Sequence, residues 1–156
     1  MRVFFPALGS ELSAAVLPQR HGWAAFAPQG ASNDDIEELE NDAQTEAALA
    51  SLSLLQDFPD DAPSRVVLAI EIPEAPLASD IVDGVGEVRL GGCDWKQVKA
   101  ILIDGSDACE AVRSVVAAQD QDSADQAVAD LWEYALEWYD IQEREVVARM
   151  LASNDG

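Results

Sequence analysis

Two short runs of aliphatic and β-branched residues constrain the fold of this 156-residue chain more than any other feature. Residues 65–72 (RVVLAIEI) and 98–103 (VKAILI) are almost continuously apolar. A strand that faces water on one side alternates apolar and polar residues, whereas a strand covered on both faces does not. We therefore predict two buried strands in one sheet. Residues 3–6 and 23–27 predict two further strands, the first of them an inner one, and residues 87–90 predict a short edge strand.

The most regular helical pattern begins at Ser32. Ser32 and Asp35 have the spacing of a capping box, and the acidic first turn suits the helix dipole. Apolar residues then recur at steps of three and four, at Ile36, Leu39, Ala43, Ala47, Ala50 and Leu54. Further helices are predicted over residues 107–118 and 123–151. These elements predict an α/β or α+β fold over residues 1–156, a single compact acidic domain whose mostly β-sheet core is covered by helices, with a long amphipathic C-terminal helix.

The predicted C-terminal helix has a wide apolar face. At about 100° per residue, one narrow arc contains Ala124, Val128, Leu131, Ala135, Tyr139 and Val146, with Trp132 and Met150 at its edge. Tyr134, Trp138 and Ile141 form an adjoining arc, which makes the face wider than the roughly 100° that one core contact needs. Two explanations are open. The helix packs in a corner against both sheet and helix, or Tyr134, Trp138 and Ile141 bind a partner protein.

The net charge of −21, with 30 Asp and Glu against nine Lys and Arg, limits the partners of the chain. Charged residues make up 25% and apolar residues 49%, close to globular averages, so the charge does not indicate disorder. Cations do not cluster, which disfavours direct binding to nucleic acid or to an anionic membrane. The expected partner is another protein or a second copy of the chain. Solubility, salt tolerance, attraction to a basic partner and nucleic-acid mimicry all stay open as reasons for the acidity.

Cysteine usage and hydropathy predict a cytoplasmic protein. Cys93 and Cys109 have neither C-x-x-C spacing nor the density of a secreted scaffold, which predicts reduced thiols. The first residues are too short an apolar run for a signal peptide, and no stretch approaches the roughly 18 apolar residues of a membrane helix.

The chain has few groups that could catalyse a reaction near neutral pH. His21 is its only histidine, and the G-x-S-x-G, G-x-G-x-x-G and Walker patterns are absent. Acidic pairs are numerous, but none has the spacing of a calcium loop. We therefore expect neither a cofactor nor a metal site.

One segment has the position that ligands favour in α/β sheets. Residues 104–107 (DGSD) follow a buried strand and precede a helix. Asp104 and Asp107, with His21 from the same end of the sheet, are the candidate ligand-binding residues. A structural explanation is also available, in which Asp107 caps the helix three residues before Glu110 and Gly105 forms the turn.

Five segments occur in an order that resembles an uncharacterised actinobacterial family of small acidic domains of unknown function. They are MRVFFPAL at the start, TEAALASLSLL (45–55), RVVLAIEIPEA (65–75), ILIDGSDACEAVR (101–113) and WYDIQE (138–143). Members of that family start with an MRV-aromatic-x-P strand and end in an aromatic-Tyr-Asp-x-x-Glu segment. The resemblance spans nearly the whole chain and implies a compact cytoplasmic domain. It assigns no catalytic or binding residue.

Two functions from different classes follow from these observations. The first is a non-enzymatic acidic module for protein–protein interaction, with Tyr134, Trp138 and Ile141 in the contact. The alternative is a carboxylate-based enzyme or a small-ligand or metal-binding domain, with its site near Asp104. Patterned mimicry of nucleic acid is a third possibility. Whether the protein is an enzyme is not decided by the sequence.

Overall fold

Six strands form one antiparallel sheet in the computed structural model, which describes residues 1–91 and 93–154; Gly92, Asp155 and Gly156 lie outside the described residues. The strands are β1 (Arg2–Ala7), β2 (His21–Ala25), β3 (Val66–Glu71), β4 (Val85–Arg89), β5 (Val98–Ile103) and β6 (Glu137–Asp140). The helices are α1 (Asn33–Asp57), α2 (Cys109–Ala117), α3 (Gln121–Leu131) and α4 (Arg144–Asn154). The fold is therefore α+β, as the sequence predicts.

The strand order is β4-β2-β1-β3-β5-β6, and every neighbouring pair is antiparallel. The two continuous apolar runs form β3 and β5, next to each other inside the sheet. The predicted inner strand at the start of the chain is β1, which lies between β2 and β3. The predicted edge strand at residues 87–90 corresponds to β4, at one end of the sheet.

Helices cover both faces of the sheet, which explains why the central strands lack polar alternation. On one face, Phe5, Leu68 and Ile101 pack in a cluster that includes Val147 and Leu151 of α4. On the other face, Phe4, Val67 and Leu102 pack against the small residues Ala43, Ala47 and Ala48 of α1. A third cluster joins α1 to α2 and α3 through Leu52, Leu55, Val112, Val115, Ala127 and Leu131. The helices α1, α2 and α3 thus form a layer opposite α4.

The N-terminus of α1 confirms the predicted capping box. The Ser32 hydroxyl accepts a hydrogen bond from the Asp35 amide at 3.1 Å, and the Asp35 carboxylate accepts one from the Ser32 amide at 3.3 Å. Each bond satisfies an amide that the helix itself leaves unpaired.

Replacing Ser32 by alanine is expected to lower the free energy of unfolding by about 1 kcal/mol, because the cap at the Asp35 amide is lost. Urea denaturation followed by circular dichroism measures the change. Ser53→Ala is the matched control, since Ser53 is an exposed position inside the same helix, where alanine is favourable. An equal loss in both variants would contradict the capping role.

The predicted continuous helix over residues 123–151 is wrong in its bounds. The chain instead forms α3, a turn, the strand β6, a 3-10 turn at Ile141–Glu143 and then α4, which supplies a C-terminal helix of 11 residues. Pairing of β6 with β5 satisfies the backbone through the sheet, and this tertiary contact outweighs the helical pattern of the segment. Because the helix is interrupted, α4 buries Val147 and Leu151 and leaves Val146 and Met150 exposed.

Candidate functional site

Asp104 forms a buried ion pair with Arg65 at the end of β5. The Arg65 Nη2 donates to Asp104 Oδ1 at 2.6 Å, and Nε donates to Oδ2 at 3.0 Å. The Arg65 backbone amide also donates to Oδ2, at 2.8 Å. Their side chains are only 3% and 0% exposed, so neither charge is screened by solvent. Both oxygens of the carboxylate are therefore occupied within the protein.

Two serines extend this polar network through the core. Ser64 Oγ donates to the Arg65 carbonyl at 2.9 Å and accepts from the Asp104 amide at 3.0 Å. Ser51 Oγ donates to the Ala7 carbonyl at 2.8 Å and accepts from the Val66 amide at 2.9 Å. Within residues 1–91 and 93–154, every buried side-chain nitrogen or oxygen has a hydrogen-bond partner. The network is consequently complete without a ligand.

Arg65 connects this network to the turn that precedes β6. Its Nη2 donates to the Tyr134 carbonyl at 2.8 Å. Its guanidinium carbon lies 5.9 Å from the centroid of the Trp132 ring, within the range of a cation–π contact. Asp104 thus orients Arg65, and Arg65 holds the turn in place.

The strand β6 forms an open edge of the sheet, and we call its four residues, Glu137–Asp140, the β6 edge. Among the described residues, β6 pairs only with β5. The Trp138 side chain is 52% exposed. Trp138 lies directly opposite Leu102 and therefore on the α1 side of the sheet. The edge thus presents a large aromatic side chain beside backbone groups that have no partner strand.

The opposite edge of the sheet is covered. The segment around Leu77 forms a bridge to Val88 of β4. The Ala78 amide donates to the Glu87 carbonyl at 2.8 Å, and the Arg89 amide donates to the Pro76 carbonyl at 2.9 Å. Exposed edges invite pairing with other chains, and covering one is a usual protection. The segment around Leu77 therefore protects the β4 edge, whereas no segment of the described residues pairs with the outer side of β6.

Acidic side chains surround the β6 edge. Glu137 and Asp140 lie at its two ends, and both are exposed. Asp107 is close to Glu137, since a Cβ placed on Gly105 would lie 2.8 Å from a carboxylate oxygen of each. Burial raises the pKa of the Tyr139 phenol, and the charges of Glu137 and Glu143 raise it further. The local potential at this edge is therefore negative.

The three candidate ligand residues do not come together. Asp104 is buried, whereas Asp107 is exposed and lies in a 3-10 turn at Ser106–Ala108. The predicted cap by Asp107 is wrong, because Ala108 occupies the N-cap position of α2 and its side chain makes no capping bond. His21 lies three strands away from β5, roughly 14 Å at about 4.8 Å per strand, where its Nδ1 is 3.0 Å from Glu87 Oε1.

The three candidate partner-binding residues lie on different elements. Tyr134 lies in the turn before β6 and packs against the cluster between α1, α2 and α3. Ile141 starts a 3-10 turn and packs against the cluster on the α4 face. Their predicted common helical face is therefore wrong, and only Trp138 is largely exposed. Their role in binding a partner stays a prediction.

Arg65 is the site residue that the sequence does not reveal by its own pattern. It starts a run that is apolar apart from Glu71, and a lone cation there is the one available signal. Its partner Asp104 lies 39 residues further along the chain, so no local spacing joins them.

No group of three or more His, Cys, Asp or Glu side chains in residues 1–91 and 93–154 is arranged to hold a metal ion. Five surface clefts of 250 to 580 Å³ are lined by residues other than Asp104, Asp107 and His21. Over the described part of the chain, no helix combines the length and the apolar content that crossing a bilayer requires.

The protein is an α+β domain with a six-stranded antiparallel sheet and helices on both faces. The family model described as "Family of unknown function (DUF6912)" matches residues 1–147, and the chain belongs to this family. Comparisons with curated proteins and with solved structures give no match. The resemblance to a family of unknown function is thus confirmed, while the actinobacterial source stays a prediction.

Proposed function

We propose that this domain is a non-enzymatic module that binds another protein through the β6 edge. The observation that carries the proposal is the half-exposed Trp138 on a strand that, among the described residues, has no outer neighbour. Tryptophan is enriched among the residues that dominate binding energy at interfaces. Its exposure to water is unfavourable in the free protein, and a partner that covers it removes this cost.

Preorganisation of the edge supports the same proposal. The turn before β6 is held by Arg65, and Arg65 is held by the buried carboxylate of Asp104. A binding surface that is already ordered loses less conformational entropy when the partner arrives. In this proposal Asp104 is a positioning residue, which differs from the ligand-binding role that its place at a strand end suggested.

The state of the cysteines supports a non-enzymatic, cytoplasmic module. Cys93 and Cys109 are both free thiols. Burial raises the pKa of each, and the charge of Asp94 raises that of Cys93 further. A nucleophilic cysteine needs a lowered pKa, so these thiols lack that property at neutral pH. Free thiols also suit a reducing compartment, for which we propose the cytoplasm.

Trp138→Ala is expected to reduce capture of the partner at least tenfold, because it removes the central contact of the proposed surface. The measurement is quantitative affinity capture from a lysate of the source cells, with wild type and variant at equal concentration. Near-ultraviolet circular dichroism shows whether the variant keeps its fold.

The matched control is Phe58→Ala. Phe58 is 56% exposed and follows α1, where it lines a surface cleft with Ser10 and residues 57–61 and no residue of β6. The variant therefore removes a comparable aromatic surface elsewhere. Capture by Phe58→Ala should equal that of wild type. If Trp138→Ala retained the full set of captured proteins, the β6 edge would not be the binding surface.

A further inference from the structure

We infer that the partner inserts an extended, basic segment that pairs with β6 as a seventh strand of the sheet. This inference rests on the proposed function and specifies the chemistry of the partner. It joins two observations: the outer side of β6 pairs with no other strand of the described residues, and acidic side chains lie at both of its ends.

The backbone of β6 is suited to strand addition. In an antiparallel pair, alternate residues direct their N–H and C=O groups toward the partner, and the remaining residues direct theirs outward. Since β6 has β5 on one side only, its outward groups face solvent in the described structure. An extended peptide can satisfy these groups with main-chain hydrogen bonds, while its side chains provide specificity.

The side chains of the edge favour a basic partner. Glu137 and Asp140 lie at the ends of the strand, and Asp107 adds a third carboxylate beside Glu137. Two described cations lie near this edge: Lys99, beside the residue that pairs with Asp140, and Arg144, whose guanidinium carbon lies 4.1 Å from the centroid of the Trp95 ring. Acids outnumber cations here as they do in the whole chain, which carries −21.

The same charges disfavour a second copy of the chain as the occupant. If two β6 strands paired antiparallel about a two-fold axis, Glu137 of each copy would lie opposite Asp140 of the other. Like charges directly opposite each other destabilise a strand pair, and two chains of charge −21 repel at long range. A segment with Lys or Arg at alternate positions avoids both costs and can pack an apolar residue next to Trp138.

Selection from a random decapeptide display library tests this inference without knowledge of the natural partner. Selected peptides should carry net positive charge with alternating Lys or Arg, and should slow hydrogen exchange at β6 amides. Their affinity should fall at least tenfold in Trp138→Ala and should fall with added salt. N-methylation of the peptide backbone along one edge keeps the charge but blocks strand pairing, and it should abolish binding.

Three results would overturn the inference: no binders, binders that are neutral or acidic, or protection of amides outside β6. Selected peptides that resemble the β6 sequence would identify self-pairing, and this fourth result also overturns the inference. None of these results changes the outcome of affinity capture with wild type and Trp138→Ala. If Trp138→Ala reduced capture of a partner but the library gave no basic, strand-like peptides, the proposed interaction module would stand. Only the proposed pairing of a basic strand with β6 would be wrong.

Discussion

Replacing Arg65 by alanine is expected to lower the free energy of unfolding by about 3–5 kcal/mol. The variant leaves the carboxylate of Asp104 buried with no opposite charge, and it removes the hydrogen bond to the Tyr134 carbonyl. A buried unpaired charge costs far more than the pair itself contributes. Urea denaturation measures the change, and β6 amides should exchange faster in the variant.

Two controls separate this effect from the loss of any arginine. Arg2→Ala removes an exposed pair with Glu71 and should cost at most about 1 kcal/mol. The double variant Arg65→Met, Asp104→Leu removes both charges and should be more stable than Arg65→Ala alone, because no charge is left unpaired. If Arg65→Ala and Arg2→Ala lost equal stability, Arg65 would not be the buried anchor.

Leu151→Ala is expected to cost about 2–5 kcal/mol, because it opens a cavity between α4 and the sheet. Leu151 is 1% exposed and packs in the cluster that contains Phe5, Leu68 and Ile101. Chemical denaturation monitored by tryptophan fluorescence gives the difference in stability.

Met150→Ala is the matched control for Leu151→Ala, one position earlier on the same helix. Met150 is 39% exposed, so its truncation should change stability by less than about 0.5 kcal/mol. The continuous helix expected from the sequence places Met150 at the edge of its apolar face. If Met150→Ala lost more stability than Leu151→Ala, α4 would bury Met150 and not Leu151.

The core of the sheet could be predicted from the sequence, because a strand that is buried on both faces is a nearly continuous run of apolar residues. A polar residue at a buried position of β3 or β5 would need a partner in the core, and the buried positions of both strands are all apolar. The start of α1 was predictable for a similar reason. The capping bonds at Ser32 join residues only three positions apart, and local contacts appear as local spacing.

The interrupted C-terminal region could not be predicted in the same way. Residues 123–151 contain neither Gly nor Pro, so no local signal ends the helix. The strand β6 exists because β5 pairs with it, and this partner lies more than 30 residues earlier in the chain. A tertiary contact of this kind outweighs helix propensity without altering the local pattern.

For the candidate site, too, the sequence predicts what depends on local pattern and misses what depends on distant contacts. Asp104 was identified by its place at the end of a buried strand, and the structure gives it an important position there. Its partner Arg65 and the turn that Arg65 holds depend on contacts 39 and 69 residues apart. Such distant contacts leave no pattern in the local spacing of residues. The sequence therefore predicts the place of Asp104 at the end of a strand, but it does not predict the ion pair that Asp104 forms.

The central place of β1 in the sheet has a consequence for the rate of folding. β1 pairs with β2 on one side, but its pairing with β3 joins residues as distant in sequence as Arg2 and Glu71. Closing a loop of this length costs chain entropy before the contact stabilises the sheet, so pairings over such separations form slowly. A partly folded chain in which β1 still lacks this neighbour exposes an apolar strand edge, which favours aggregation.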